Sequence, residues 1–199
     1  MNGTASFVSI FTILTFFGST ALAQIAEVRG VNGEVTYSVG GAGPVSVRKG
    51  VSLPVGAVIK TGRGSALDIY LGPAFGTIRL TQNSTLSIDR MEPLKALLTL
   101  WDGSFVGWDA KVPVNGTFQV KMSKGILGIV EGKYRVDARS YLVLLNGFMV
   151  YAFVMPDSKI QAFTLQASPP VYFSPVEGVK AAPIELEREV ELQSKGRLR

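Results

Sequence analysis

The sequence contains no cysteine and no histidine. The first absence excludes disulfides, a thiolate nucleophile and cysteine-based zinc or iron–sulfur ligation. The second removes the Ser-His-Asp triad, the imidazole proton shuttle and the usual zinc and haem ligands. Carboxylates, lysines, tyrosines and hydroxyls are what remains for catalysis, and no cofactor or metal is expected. Charge is also scarce: Asp, Glu, Lys and Arg make up 18% of the 199 residues, against about a quarter in ordinary soluble domains. No apolar run reaches the ~20 residues that a membrane-spanning helix needs. Glycine, in contrast, is abundant, with 22 residues. This balance suits a strand-rich, well-buried protein and argues against a disordered or coiled-coil chain.

The charges are unevenly placed. Residues 1–23 carry none. Phe7–Phe17 is an apolar run, followed by Gly18-Ser19-Thr20 and Ala21-Leu22-Ala23. An apolar stretch before a small-x-small site is the pattern of a secretory signal peptide, here without a Lys or Arg ahead of it. The expected organisation is a signal peptide over 1–23, a β domain over 24–176, and a charged, mobile tail over 177–199 able to order on a partner. The product is then exported, either periplasmic or secreted. Its net charge of +5 is scattered in ones and twos. That suggests an envelope protein or anionic envelope polymer as partner, not nucleic acid.

From Ile25 to Phe173 the hydrophobic period is 2. Val35, Tyr37 and Val39 alternate with polar residues, as do Leu67, Ile69 and Leu71, then Phe118 and Val120. About twelve such runs predict an all-β, sandwich-like domain of short, mostly antiparallel strands. Arg90–Leu100 is the one stretch where a helical turn fits, with Pro93 at its start. Four acid-or-amide-plus-glycine pairs precede apolar alternation: Asn32-Gly33, Asp102-Gly103, Glu131-Gly132 and Asn146-Gly147. They read as hairpin turns, whose type I′ geometry needs positive φ. In the tail, Ile184–Leu192 alternates Glu with other residues at strand spacing, although Leu186 and Val190 also fit one helix face. Strand addition at an exposed sheet edge is one binding mode for that segment.

Asp102, Asp109, Glu131 and Asp137 fall close together in sequence, and Trp101 and Trp108 flank the first two. Paired carboxylates beside aromatic platforms suit a glycosidase or a sugar binder. Turn chemistry and solvated strand ends account for the same residues without catalysis. Thr61-Gly62-Arg63-Gly64-Ser65 reads as a tight turn. Its alternative is anion binding by backbone N–H groups beside Arg63, but a strand follows where a P-loop needs a helix. Trp101, Trp108 and Arg63 are therefore the candidate ligand contacts, and no residue is assigned a catalytic role.

The segment Pro54–Ile88 and its surroundings carry a family resemblance. Leu53-Pro54-Val55-Gly56 leads into Ile59-Lys60-Thr61-Gly62-Arg63-Gly64-Ser65-Ala66. Next come Ile78-Arg79-Leu80 and Asn83-Ser84-Thr85-Leu86, then Leu98 with Asp102-Gly103-Ser104-Phe105, and Phe118-Gln119-Val120. This pattern, over roughly residues 28–155, resembles the FecR domain, the exported β domain of ferric-citrate-regulator-type signalling proteins. In the later family signature, Ile129–Val136 keeps Gly132, Tyr134 and Val136 but has Lys133 where the family has Thr. The sigma-factor-binding segment and membrane helix of family members have no matching residues here. The resemblance implies a stand-alone, non-enzymatic sensory or binding module. Its motif residues are Gly56, Thr61, Gly62, Gly64, Ser65, Ala66, Asn83, Thr85, Leu86, Gly103 and Gly132.

Overall fold

The computed structural model describes residues 26–196; the expected signal peptide lies outside them. One continuous sheet of sixteen strands is folded back on itself. One arm runs β3 (Val45–Ser46), β2 (Val35–Val39), β5 (Ala57–Thr61), β8 (Thr85–Glu92), β9 (Lys95–Asp102) and β11 (Thr117–Met122). The other runs β4 (Ser52–Leu53), β1 (Ala26–Asn32), β6 (Ala66–Gly72), β7 (Gly76–Leu80) and β10 (Ser104–Lys111). The long strands β12 (Gly125–Asp137) and β13 (Tyr141–Val154) belong to both. The first half of β12 pairs with β11 and its second half with β10. Beyond β13, β14 (Ile160–Ala167) extends the first arm, and β15 (Val171–Ser174) with β16 (Gly178–Ala181) extends the second. Among the described residues every pairing is antiparallel except β9 with β11. Inward residues of both arms, including Ile59, Ile88, Leu98 and Tyr151 from one and Ile69, Ile78, Phe105 and Phe173 from the other, form one buried core. The all-β, sandwich-like expectation holds, with more strands than the twelve expected.

None of the four glycine pairs is a hairpin turn. Asn32-Gly33 joins β1 to β2, and Asp102-Gly103 joins β9 to β10, but these strands never pair with each other. Each pair is a corner where the chain leaves one arm for the other. Gly132 and Gly147 sit opposite one another where β12 and β13 bend across. The positive φ was correctly anticipated at Gly33, Gly103, Gly132 and Gly147 (74°, 75°, 125° and 99°). Backbone conformation is a local demand; the pairing partner is not, so the motif alone does not distinguish a hairpin from a corner.

Most of the motif residues named from the sequence lie at or beside these corners. Thr61–Ser65 turns β5 into β6, and Thr81–Ser84 turns β7 into β8. Four corners stack side by side through buried hydroxyls. The Glu34 N–H donates to Ser65 Oγ at 2.8 Å and the Ser104 N–H to Ser84 Oγ at 3.0 Å. Thr61 Oγ1 accepts from the Ser84 N–H at 3.0 Å and donates to the Thr81 carbonyl. The outer corners carry Gly33 and Gly103 because a Cβ there would sit 2.4 Å from Ser65 Oγ and 2.1 Å from Ser84 Oγ. Asn83 takes φ 53°, a left-handed conformation that Asn tolerates. Thr85 and Leu86 then open β8, and Ala66 opens β6.

Two expectations need correction. Arg90–Leu100 forms no helical turn: Glu92 pairs with Lys95 around Pro93-Leu94, closing the β8–β9 hairpin. Met91, Ala96, Leu98 and Leu100 are buried at strand spacing there, and Pro93 sits in the turn, where it withholds no ladder donor. The segment expected as a tail is built into the fold over its described residues, 177–196. Residues 178–181 continue the sheet, and Ile184–Lys195 forms helix α1 instead of a strand. Glu185 and Glu187 in its first turn and Lys195 in its last complement the helix dipole. Leu186 and Val190, one turn apart, pack on Val106 of β10 and Val143 of β13.

Candidate binding face

The two arms present different outer faces. Helix α1 covers the second. Arg79 forms a two-toothed ion pair with Asp68 (2.6 and 2.7 Å) and donates to the Gln193 carbonyl of α1 at 2.6 Å. Lys133 pairs with Glu191 at 3.0 Å, and Arg135 pairs with Glu189. Three of the scattered bases are thus occupied in holding the helix. Trp108 lies half-buried beneath Arg79, whose guanidinium carbon is 5.6 Å from the ring centre.

Among the described residues the outer face of β5, β8 and β9 has no helix over it, and two β-bulges shape it. Thr85 pairs with Asp102 and Leu86 with Leu100, leaving Trp101 as the extra residue of β9. Ile88 pairs with Leu98 and Arg90 with Leu97, leaving Asp89 as the extra residue of β8. A bulge re-aims the side chains beside it, and here the two together set Trp101 and Asp89 on the same outward surface. Four side chains then form one network. The Trp101 indole N–H donates to Ser87 Oγ at 3.2 Å, Ser87 Oγ donates to Asp89 Oδ1 at 2.7 Å, and Thr99 Oγ1 donates to Asp89 Oδ2 at 2.5 Å. The indole is anchored along its polar edge and still 65% exposed. An open recess of about 500 Å³ lies beside it, with Lys60 and Val58 on its far side. Lys60 forms no ion pair among the described residues.

The structure therefore separates the two tryptophans. The Gly103 corner sends them to opposite faces of the folded sheet. Arg63 is exposed at its corner, away from both. The amides around it are engaged: Gly62 N–H to the Glu34 carbonyl, Gly64 N–H to Gln82 Oε1, and Ser65 N–H to the Gly62 carbonyl. The loop does the work of a turn and presents no free nest for an anion. Gly56, a motif residue, lies on the rim of the Trp101 recess at φ 85°.

The four carboxylates do not form one site. Asp102 accepts from the Gly103 N–H at 2.8 Å, which is turn chemistry. Asp137 is buried. Burial works against its charge, but hydrogen bonds from the Arg139 guanidinium and backbone N–H hold its carboxyl below the usual range. Asp109 and Glu131 line a separate recess of about 430 Å³ with Trp108, at the Gly132–Gly147 crossing. Sequence reasoning singled out Trp101 but missed Ser87, Asp89 and Thr99. Their alternation was visible; the bulges that converge them were not.

No family model matches the sequence, and no curated protein does either. Among solved structures, the chain is similar to a proposed anti-sigma factor from Parabacteroides distasonis ATCC 8503, with a TM-score of 0.49 and 12% identity. The likeness covers 62% of this chain and 59% of that one.

Proposed function

We propose that this protein is a non-catalytic binding module of the bacterial envelope, exported by its N-terminal signal, with the Trp101 face as its receiving surface. The observation that carries this reading is the anchored, exposed indole on a sheet face that none of the described residues covers. An aromatic ring left in water at 65% exposure contributes little to folding, whereas exposed, rigid aromatic side chains are frequent anchors of binding surfaces. The FecR-like motif supports the envelope setting. Most of its residues serve the corners and the strands that leave them, so they support the kind of module and not its ligand.

Retention of the purified protein on isolated bacterial envelopes tests the reading. Wild type and Trp108→Phe are expected to be retained equally, and Trp101→Ala to be released. Equal retention of Trp101→Ala would overturn it.

A further inference from the structure

We infer that the ligand of the Trp101 face is a glycan chain laid across β5, β8 and β9. This deepens the proposed function and rests on it.

The chemistry around the indole selects among ligand classes. A protein hot spot surrounds its aromatic anchor with side chains that exclude water. Here the ring is bordered by a carboxylate, an ammonium and hydroxyls: Asp89, Lys60, Ser87 and Thr99. Exposed apolar residues of the same arm, such as Val45 on β3, Leu94 in the β8–β9 turn and Ile126 and Val130 on β12, do not line the recess; Val58 is the apolar side chain that does so beside Trp101. A pyranose ring matches this mixture. Its C–H face is apolar and stacks on an aromatic plane, while its rim carries hydroxyls that both donate and accept. Asp89 accepts from such a rim, and Lys60 donates to it.

The network also fixes the site before a ligand arrives. Trp101 is tied through its N–H, and Ser87 and Thr99 hold the Asp89 carboxylate from two sides, leaving its remaining lone pairs for a ligand. Rigid groups lose less entropy on binding, so preorganisation adds affinity. The shape of the recess favours a polymer. It is shallow and open along the sheet, and among the described residues no loop or helix closes it, so a chain can enter and leave at both ends. A small molecule usually needs a cleft that buries most of its surface.

Cosedimentation with insoluble glycans tests the inference, using purified peptidoglycan, chitin and cellulose as probes. Binding to at least one is expected. On that glycan, Trp101→Ala should weaken binding at least 10-fold, Asp89→Asn less, and Trp101→Phe less than Trp101→Ala, since a ring remains. Trp108→Phe, on the opposite face, should bind as wild type. Unfolding midpoints of the Trp101 variants should match wild type, because the side chain is outside the core. Binding to none of the three, or equal binding by Trp101→Ala, would overturn the glycan inference. Retention on whole envelopes that needs Trp101 but survives digestion of their glycans would sink this inference alone and leave the proposed function standing.

Discussion

The two outer faces of the folded sheet belong to different arms and put their polar groups to opposite uses. On the covered face, Asp68, Arg79, Val106, Arg135, Val143 and Tyr172 fall in one register row across β6, β7, β10, β12, β13 and β15. Arg79 and Arg135 in that row, with the neighbouring Lys133, turn their charges inward to helix α1 or to Asp68. On the bare face, the hydroxyls and the carboxylate around Trp101 bond to one another, and Lys60 and the indole face outward. Each internal ion pair takes up one acid with one base, so the net charge of +5 is unchanged by them. The comparison teaches that position decides what a charge can do: Arg79, Lys133 and Arg135 are committed to acceptors within the chain, whereas Lys60 borders an open recess beside an exposed ring.

Four changes test how separate these faces are, and the largest acts where they join. A Cβ at Gly132 would sit 1.9 Å from the Asn146 carbonyl oxygen, at φ 125°. Gly132→Ala is expected to cost more than about 4 kcal/mol, enough to threaten the fold of a marginally stable domain. Urea melts followed by single-tryptophan fluorescence would show it, with Trp101 reporting on one face and Trp108 on the other. Both signals should shift together, and two separated midpoints would mean that the arms unfold independently.

Next, Asp68→Ala leaves Arg79 buried without its carboxylate. We expect a loss of about 3 kcal/mol, whereas Lys60→Ala on the bare face should change stability by no more than about 0.5 kcal/mol. Chemical denaturation of the pair measures the contrast. Val190→Ala removes the one fully buried side chain of α1 and should cost about 2 kcal/mol of docking. Proteolysis within residues 184–195 should accelerate while the β core persists.

The smallest effect is expected from acid. Hydrogen bonds from Lys195 and then Lys133 hold the Glu191 carboxyl below the usual carboxylate range. Its contribution is therefore fully present above the unfolded-state value of about 4.3 and is lost as pH falls through the lower folded value. Lowering pH through that window should loosen α1 slightly, and Glu191→Gln should remove that dependence. Protease sensitivity of the helix against pH is the readout; an unchanged profile in Glu191→Gln would detach Glu191 from the docking.

Much of the fold was legible because alternation reports burial directly. Leu67, Ile69 and Leu71, or Phe118 and Val120, are buried where their period places them. What stayed hidden depends on distant partners. Gly33 and Gly103 announced positive φ but not that Ser65 and Ser84 would lie flat against them. The Glu residues at 185, 187, 189 and 191 mimic strand spacing, and only Val106 and Val143 make Leu186 and Val190 a helix face. Trp101 and Trp108 are neighbours in sequence and strangers in space, because one glycine corner stands between them. The Asp89–Ser87–Thr99 network needed two bulges, and a bulge leaves no mark on a pattern that allows for one extra residue.

The corners have a mechanical consequence. Strands that turn from one arm into the other make the faces continuous in covalent bonds. Five peptide bonds lead from Trp101, through Gly103 and Ser104, to Val106, which touches α1. The ring and the strand under the helix are thus joined by one short stretch of backbone, and that stretch is pinned midway where the Ser104 N–H meets Ser84 Oγ.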